Sequence, residues 1–115
     1  MHCEALEKFR AEHAGRVYPT VENLCADPAV DVVYVATPHE LHAPHARLAA
    51  SKGKHVLVEK PMALTLEDCR AMIADARKAG VQLIVGHSHS FDTPILNTKR
   101  LIESGAYGAV RMITA

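Results

Sequence analysis

The chain has 115 residues, enough for one domain around one core, and its 13 basic and 13 acidic side chains cancel without forming blocks. That balance, with 4% aromatic residues and no Trp, excludes an electrostatic grip on nucleic acid or an anionic membrane and a stacking platform for bases. No apolar run approaches the length of a membrane span. The three cysteines, Cys3, Cys25 and Cys69, are odd in number and far apart, which points to small core thiols in a reducing compartment and so to a soluble cytoplasmic protein.

Along the chain, short apolar runs alternate with amphipathic stretches that end in glycine. Residues 3–14 read as a helix ended by Gly15, and a short helix follows Thr20. Residues 31–36 are a continuous apolar run, as expected for a strand covered on both faces. A helix follows from near Pro44, a good first-turn residue, to Lys52, with Gly53 after it. Residues 55–58 form the next strand. The best-formed helix comes after Thr65, whose hydroxyl can cap the first turn, with Asp68 completing a capping-box pattern. Leu66, Cys69, Ile73 and Ala76 fall on one stripe expected to face the sheet, and Gly80 ends the helix. A strand at 82–86, a helix at 92–104 stopped by Gly105 and a strand at 109–113 complete the order. Alternation of this kind predicts an α/β fold with a doubly wound parallel sheet. The strand spacing is close to that of leucine-rich repeats, but the leucine ladder of such repeats is missing.

A doubly wound sheet that binds dinucleotides opens with a strand, a Gly-rich turn and a helix. This chain opens in a helix and holds no G-x-G-x-x-G, so the expected fold is an incomplete Rossmann-like sheet lacking its first strand and Gly-rich turn. Such a piece is expected to expose an unpaired strand edge and to be unstable and inactive alone.

Five segments in register carry a resemblance. They are Ala36-Thr37-Pro38 followed by His42; Gly53-Lys54-His55-Val56-Leu57-Val58-Glu59-Lys60-Pro61; Gly86; Phe91; and Ser104-Gly105-Ala106-Tyr107-Gly108. Together they resemble the Gfo/Idh/MocA oxidoreductases, and the segment from Gly86 to Asp92 resembles the 4,5-dihydroxyphthalate dehydrogenases within that family. The resemblance implies a partial dinucleotide-binding domain over 1–108, with 109–115 starting the strand into a C-terminal α/β domain. It implies NAD or NADP as cofactor and hydride transfer to or from a hydroxyl-bearing carbon of a cyclic polyol, sugar or dihydrodiol-like aromatic acid. It also implies a homo-oligomer at full length.

Lys60 is the expected catalytic residue, because removing a hydroxyl proton while hydride leaves the same carbon needs a nearby cation or base. The resemblance assigns Ala36, Thr37, Pro38, His42, Glu59, Lys60 and Pro61 to the cofactor, with a cis Lys60–Pro61 bond aiming Lys60 into the cleft. His87 and His89 would face the substrate as charge partners for a carboxylate. Gly86 is expected to allow a tight turn. His39, His42 and His45 have a spacing that suggests metal, but only His42 and His45 could share a helix face, with Pro44 between them, so no metal is expected. The competing reading is a non-catalytic nucleotide-binding or regulatory protein of the same fold.

Overall fold

The computed structural model describes residues 3–112 and residue 114. Five α-helices and three strands form among these residues. Helix α1 spans Cys3–His13 and α2 spans Val21–Ala26, whose first turn is capped by Thr20 Oγ1 accepting from the Asn23 amide at 3.2 Å. Strand β1 is Val32–Val35, followed by a 3-10 turn at His39–Leu41 and helix α3, His42–Ser51. Strand β2 is His55–Glu59 and helix α4 is Leu66–Ala79. Thr65 Oγ1 accepts from the Asp68 amide at 3.0 Å and Gly80 closes α4 at φ +70°, as the capping pattern predicts. Strand β3, Leu83–Gly86, leads through a second 3-10 turn, Ser88–Phe91, to helix α5, Thr93–Glu103.

The three strands are parallel in the order β1-β2-β3, with Val33 opposite Val56, Val35 opposite Val58, and Val58 opposite Val85. Each crossover carries one helix, α3 and then α4, and these two helices pack against each other on one face of the sheet. The core lies between them. Val33, Val35, Val56 and Val58 meet Ala43, Ala46 and Ala49 of α3, with Met72 and Cys25 filling the ends. The alanines recur at three-residue steps along α3, and their small side chains bring the helix backbone close to the strands. Burial also pushes the Cys25 thiol up from its ordinary value.

Several elements depart from the sequence expectation. The apolar runs of β1 and β3 predict burial on both faces, yet Tyr34 of β1 and Ile84 of β3 are 56% and 57% exposed and Val32 is also open. Among the described residues only one face is covered, because both crossovers lie on the same side. In α4 the buried line runs through Met72 and Ala76, while Leu66 and Ile73 are exposed. The helix leans on α3 as well as on the sheet, which turns its buried line round by about one residue. α3 begins at His42, two residues ahead of Pro44, which still occupies the first turn, where a missing N–H costs nothing. At the end of α1 it is Ala14, not Gly15, that takes positive φ, at +49°. A Cβ on Gly15 would lie 3.2 Å from Phe9 Cε1, so that glycine permits close approach instead of a turn. Residues 109–112 form no strand, since nothing pairs with them and a strand exists through its pairing; Ile113 lies outside the described residues. α5 is exposed along its length.

One polar clasp ties the segment after α1 to the loop before β1. Asp27 Oδ2 accepts from Tyr18 Oη at 2.6 Å and pairs with Arg16 Nη1, and its Oδ1 accepts from the Ala29 amide at 2.8 Å. Lys54 Nζ donates to the Asp27 carbonyl at 2.9 Å. Tyr18 first, then the Ala29 amide and Arg16, hold the Asp27 carboxyl at about 2, below its ordinary 3.8. A carboxyl lowered on folding stabilises the fold above its unfolded pKa, and that contribution disappears as pH falls through the folded value. Asp27→Asn is therefore expected to lower Tm at neutral pH, with the gap to wild type closing as pH falls from about 3.8 to about 2; circular dichroism melts across that range check it. In the core, Met72→Ala should cost ~2–5 kcal/mol and Leu66→Ala under ~0.5 kcal/mol in denaturant titrations, the reverse of what a buried stripe running from Leu66 to Ala76 without Met72 requires.

Candidate functional site

The C-terminal ends of parallel strands are where an open α/β sheet binds ligands. Here that edge is built from the loop after β1, the end of β2 with the turn after it, and the end of β3. Ala36, Thr37 and Pro38 leave β1; Ala36 and Pro38 are exposed and Thr37 is half-buried. Thr37 Oγ1 lies 3.2 Å from His45 Nδ1, one turn into α3.

Glu59 is the last residue of β2 and shares the open face of the sheet with Leu57, since side chains alternate along a strand. Tyr34 stands opposite Leu57 on the same face and donates its hydroxyl to Glu59 Oε1 at 2.5 Å. The other carboxylate oxygen, Oε2, accepts from the Lys60 amide at 3.1 Å. Tyr34 first and the Lys60 amide second hold the Glu59 carboxyl below the usual carboxylate range, and the same bond raises the Tyr34 hydroxyl. Glu59 is thus an anchored, charged carboxylate facing the edge of the sheet.

Lys60 follows as an exposed residue in the turn, and the Lys60–Pro61 bond is cis, as the resemblance implies. Among the described residues no carboxylate lies within ion-pairing distance of Lys60 Nζ. Glu59 bonds its amide, not its ammonium, so the ammonium stays available to a ligand. Gly86, the register partner of Glu59, lacks positive φ, and a Cβ there would sit 3.7 Å from Glu59 Oε1. It leaves room beside the carboxylate and makes no left-handed turn.

His42 stands apart from this exposed group. It has no accessible surface, and its ring lies between the two loops, with Nδ1 2.7 Å from the Pro61 carbonyl oxygen and Nε2 2.9 Å from that of Thr37. His39 meets the same ring edge-on at 5.4 Å. His87 and His89 lie past the end of β3, both exposed, and His89 Nδ1 sits 2.9 Å from Asp92 Oδ2. No three His, Cys, Asp or Glu side chains converge among the described residues. Thr37, Glu59 and Lys60 therefore gather at one edge with His42 behind them, while His87 and His89 are a strand further along. Sequence reasoning missed Tyr34, and it weighed His45 for metal without its contact to Thr37. A phenol inside an otherwise aliphatic strand was the signal for Tyr34, since a hydroxyl there needs a partner.

Residues 2–87 match the Gfo/Idh/MocA family model, described as an oxidoreductase family with an NAD-binding Rossmann fold. The 1-carboxy-3-chloro-3,4-dihydroxycyclo hexa-1,5-diene dehydrogenase of Comamonas testosteroni is 58% identical over 95% of this chain and 28% of its own length. The trans-1,2-dihydrobenzene-1,2-diol dehydrogenase of Danio rerio is 36% identical over 95% of this chain and 33% of its own. Among solved structures, the WlbA dehydrogenase of Bordetella pertussis, in complex with NADH and UDP-GlcNAcA, superposes with a TM-score of 0.85 at 33% identity, covering 91% of this chain and 30% of that one. The chain thus spans about a third or less of the length of these relatives.

Replacing Tyr34 by Phe removes the larger of the two contacts that hold Glu59 ionised. The Glu59 carboxyl is expected to titrate closer to its ordinary value, which a pH series of carboxyl carbon shifts would follow by NMR. An unchanged titration would mean that Tyr34 does not anchor it.

Proposed function

This chain belongs to the Gfo/Idh/MocA oxidoreductase family with its NAD-binding Rossmann fold, and on that premise we propose that it supplies the nicotinamide-facing edge of an NAD(P)-dependent dehydrogenase. The substrate class is a ring or sugar carbon bearing a hydroxyl, with cyclic dihydrodiols favoured by the Comamonas and Danio relatives. The observation that carries the reading is the meeting of Thr37, Glu59 and Lys60 at the C-terminal edge of a parallel sheet, with the Lys60 ammonium free of an internal ion pair.

That donor set fits the nicotinamide end of a dinucleotide. A hydroxyl and a carboxylate suit ribose hydroxyls, and Ala36 and Gly86 leave space for close approach. When bound, the cofactor supplies the acceptor for a hydride. The chain's own part is to orient the substrate and to manage its proton. Lys60 Nζ donates to the oxygen of the reacting hydroxyl and stabilises the negative charge that grows there as its proton passes to solvent water at this exposed edge. Glu59 does not pair with that ammonium; its oxygens accept instead from Tyr34 and the Lys60 amide. Thr37 and its neighbours Ala36 and Pro38 line the cofactor side, and Pro61 fixes the turn that presents Lys60. His87 and His89, exposed one strand along, would be the charge partners of a substrate carboxylate.

The test is Lys60→Met in the intact protein, following NADH formation with a carboxylated cyclohexadiene diol as substrate. The reading expects kcat to fall ~10²–10⁴-fold while cofactor binding persists. A variant as active as wild type would remove Lys60 from the chemistry, whereas a wild type that binds the cofactor but forms no NADH would favour a nucleotide-binding protein without catalysis.

A further inference from the structure

We propose that His42 is a doubly protonated, positively charged tie that joins the loop after β1 to the turn after β2 and so fixes the spacing of Thr37 and Lys60. The argument begins with counting donors. Both partners of the ring, the carbonyl oxygens of Thr37 and Pro61, are acceptors only, at 2.9 and 2.7 Å. A neutral imidazole carries one N–H, so it could satisfy one carbonyl and would turn a bare lone pair towards the other at hydrogen-bond distance. The side chain has no accessible surface, so bulk solvent cannot serve the unsatisfied pair, and an unmade bond between buried groups is costly. An imidazolium satisfies both.

Burial opposes a charge, and the surroundings offset that cost. Two charge-assisted hydrogen bonds run to the carbonyls, and the ionised Glu59 ends β2 two residues before Pro61, whose carbonyl the ring meets. From α3, His45 is turned to the Thr37 hydroxyl, and from the preceding turn His39 presents its ring edge-on. Lys60 is the cation at the same edge, on the solvent side. His42 reaches neither solvent nor ligand. It acts through Thr37 and Pro61, as a positioning residue.

The placement of Thr37 and Lys60 at cofactor and substrate rests on the function proposed above; the charge on the ring does not. The protein labelled with ¹⁵N-histidine, free of cofactor and at neutral pH, gives the direct reading, with His42→Gln identifying the His42 signals. Both His42 ring nitrogens are expected to resonate as N–H, with slowly exchanging protons. One bare nitrogen would overturn the charged tie. In the intact protein, His42→Gln keeps a single donor group that cannot span both carbonyls, and kcat/KM should fall about a hundredfold with Lys60 unaltered. Two N–H signals together with unchanged kcat/KM in His42→Gln would overturn the positioning role. Two N–H signals in a wild-type protein that oxidises no diol would uphold the tie and sink the dehydrogenase reading alone.

Discussion

The pairing of β2 with a strand on each side is the constraint on which the rest of the molecule depends. Val56 and Val58 are held in register with Val33 and Val35 on one flank and with Leu83 and Val85 on the other. Strand β2 has both of its hydrogen-bonding edges filled, and its inward side chains are buried. A strand fixed in this way has no freedom to slip, because a shift of one residue would carry Val56 and Val58 to the open face. The same register puts Glu59 last on the strand and Lys60 first beyond it. The position of the carboxylate and of the residue that bears the ammonium is therefore a consequence of core packing at Val56 and Val58.

Much of this was legible in the chain itself. Thr65, Asp68 and Gly80 mark the two ends of α4 by local hydrogen bonding and φ alone, and the structure keeps them. The three strands appear within a residue or so of the apolar runs that announce them. What could not be read depends on contacts between segments. Met72 and Ile73 are equally apolar, and only the lean of α4 on α3 decides that Met72 is the one buried. Ala14, not Gly15, takes the left-handed position after α1, while Gly15 leaves room for the Phe9 ring, a contact no local pattern announces. The bond from Tyr34 to Glu59 joins residues 25 apart in sequence; a phenol in an aliphatic strand signals that a partner exists, and nothing local says which one.

The open face of the sheet illustrates the same division. A sheet with one wet face is written as alternating apolar and polar residues, whereas β1 is apolar throughout. Its inward residues Val33 and Val35 are buried against α3, and its outward residues Val32 and Tyr34 are more than half exposed. The composition of the strand is thus that of a two-sided sheet, while the described residues cover one side. Tyr34 is the exception that makes sense of the face. Its ring extends the apolar surface, and its hydroxyl fixes a carboxylate at the functional edge, so the open face and the site share a residue.

The histidines at 39, 42 and 45 show why spacing alone misleads. Read on one helix, three residues at intervals of three would lie along a common face and invite a shared ligand. The backbone divides them instead. His39 belongs to a 3-10 turn, in which residues three apart eclipse, so it stacks edge-on against His42. α3 starts at His42 and turns that ring inward, beneath the loops, where both nitrogens meet carbonyl oxygens. A ring engaged at both nitrogens has no lone pair to offer a metal. His45, one turn later, is directed to the Thr37 hydroxyl. Three identical side chains thus take three different environments within seven residues, and the change of helix type between the first and the second is what separates them.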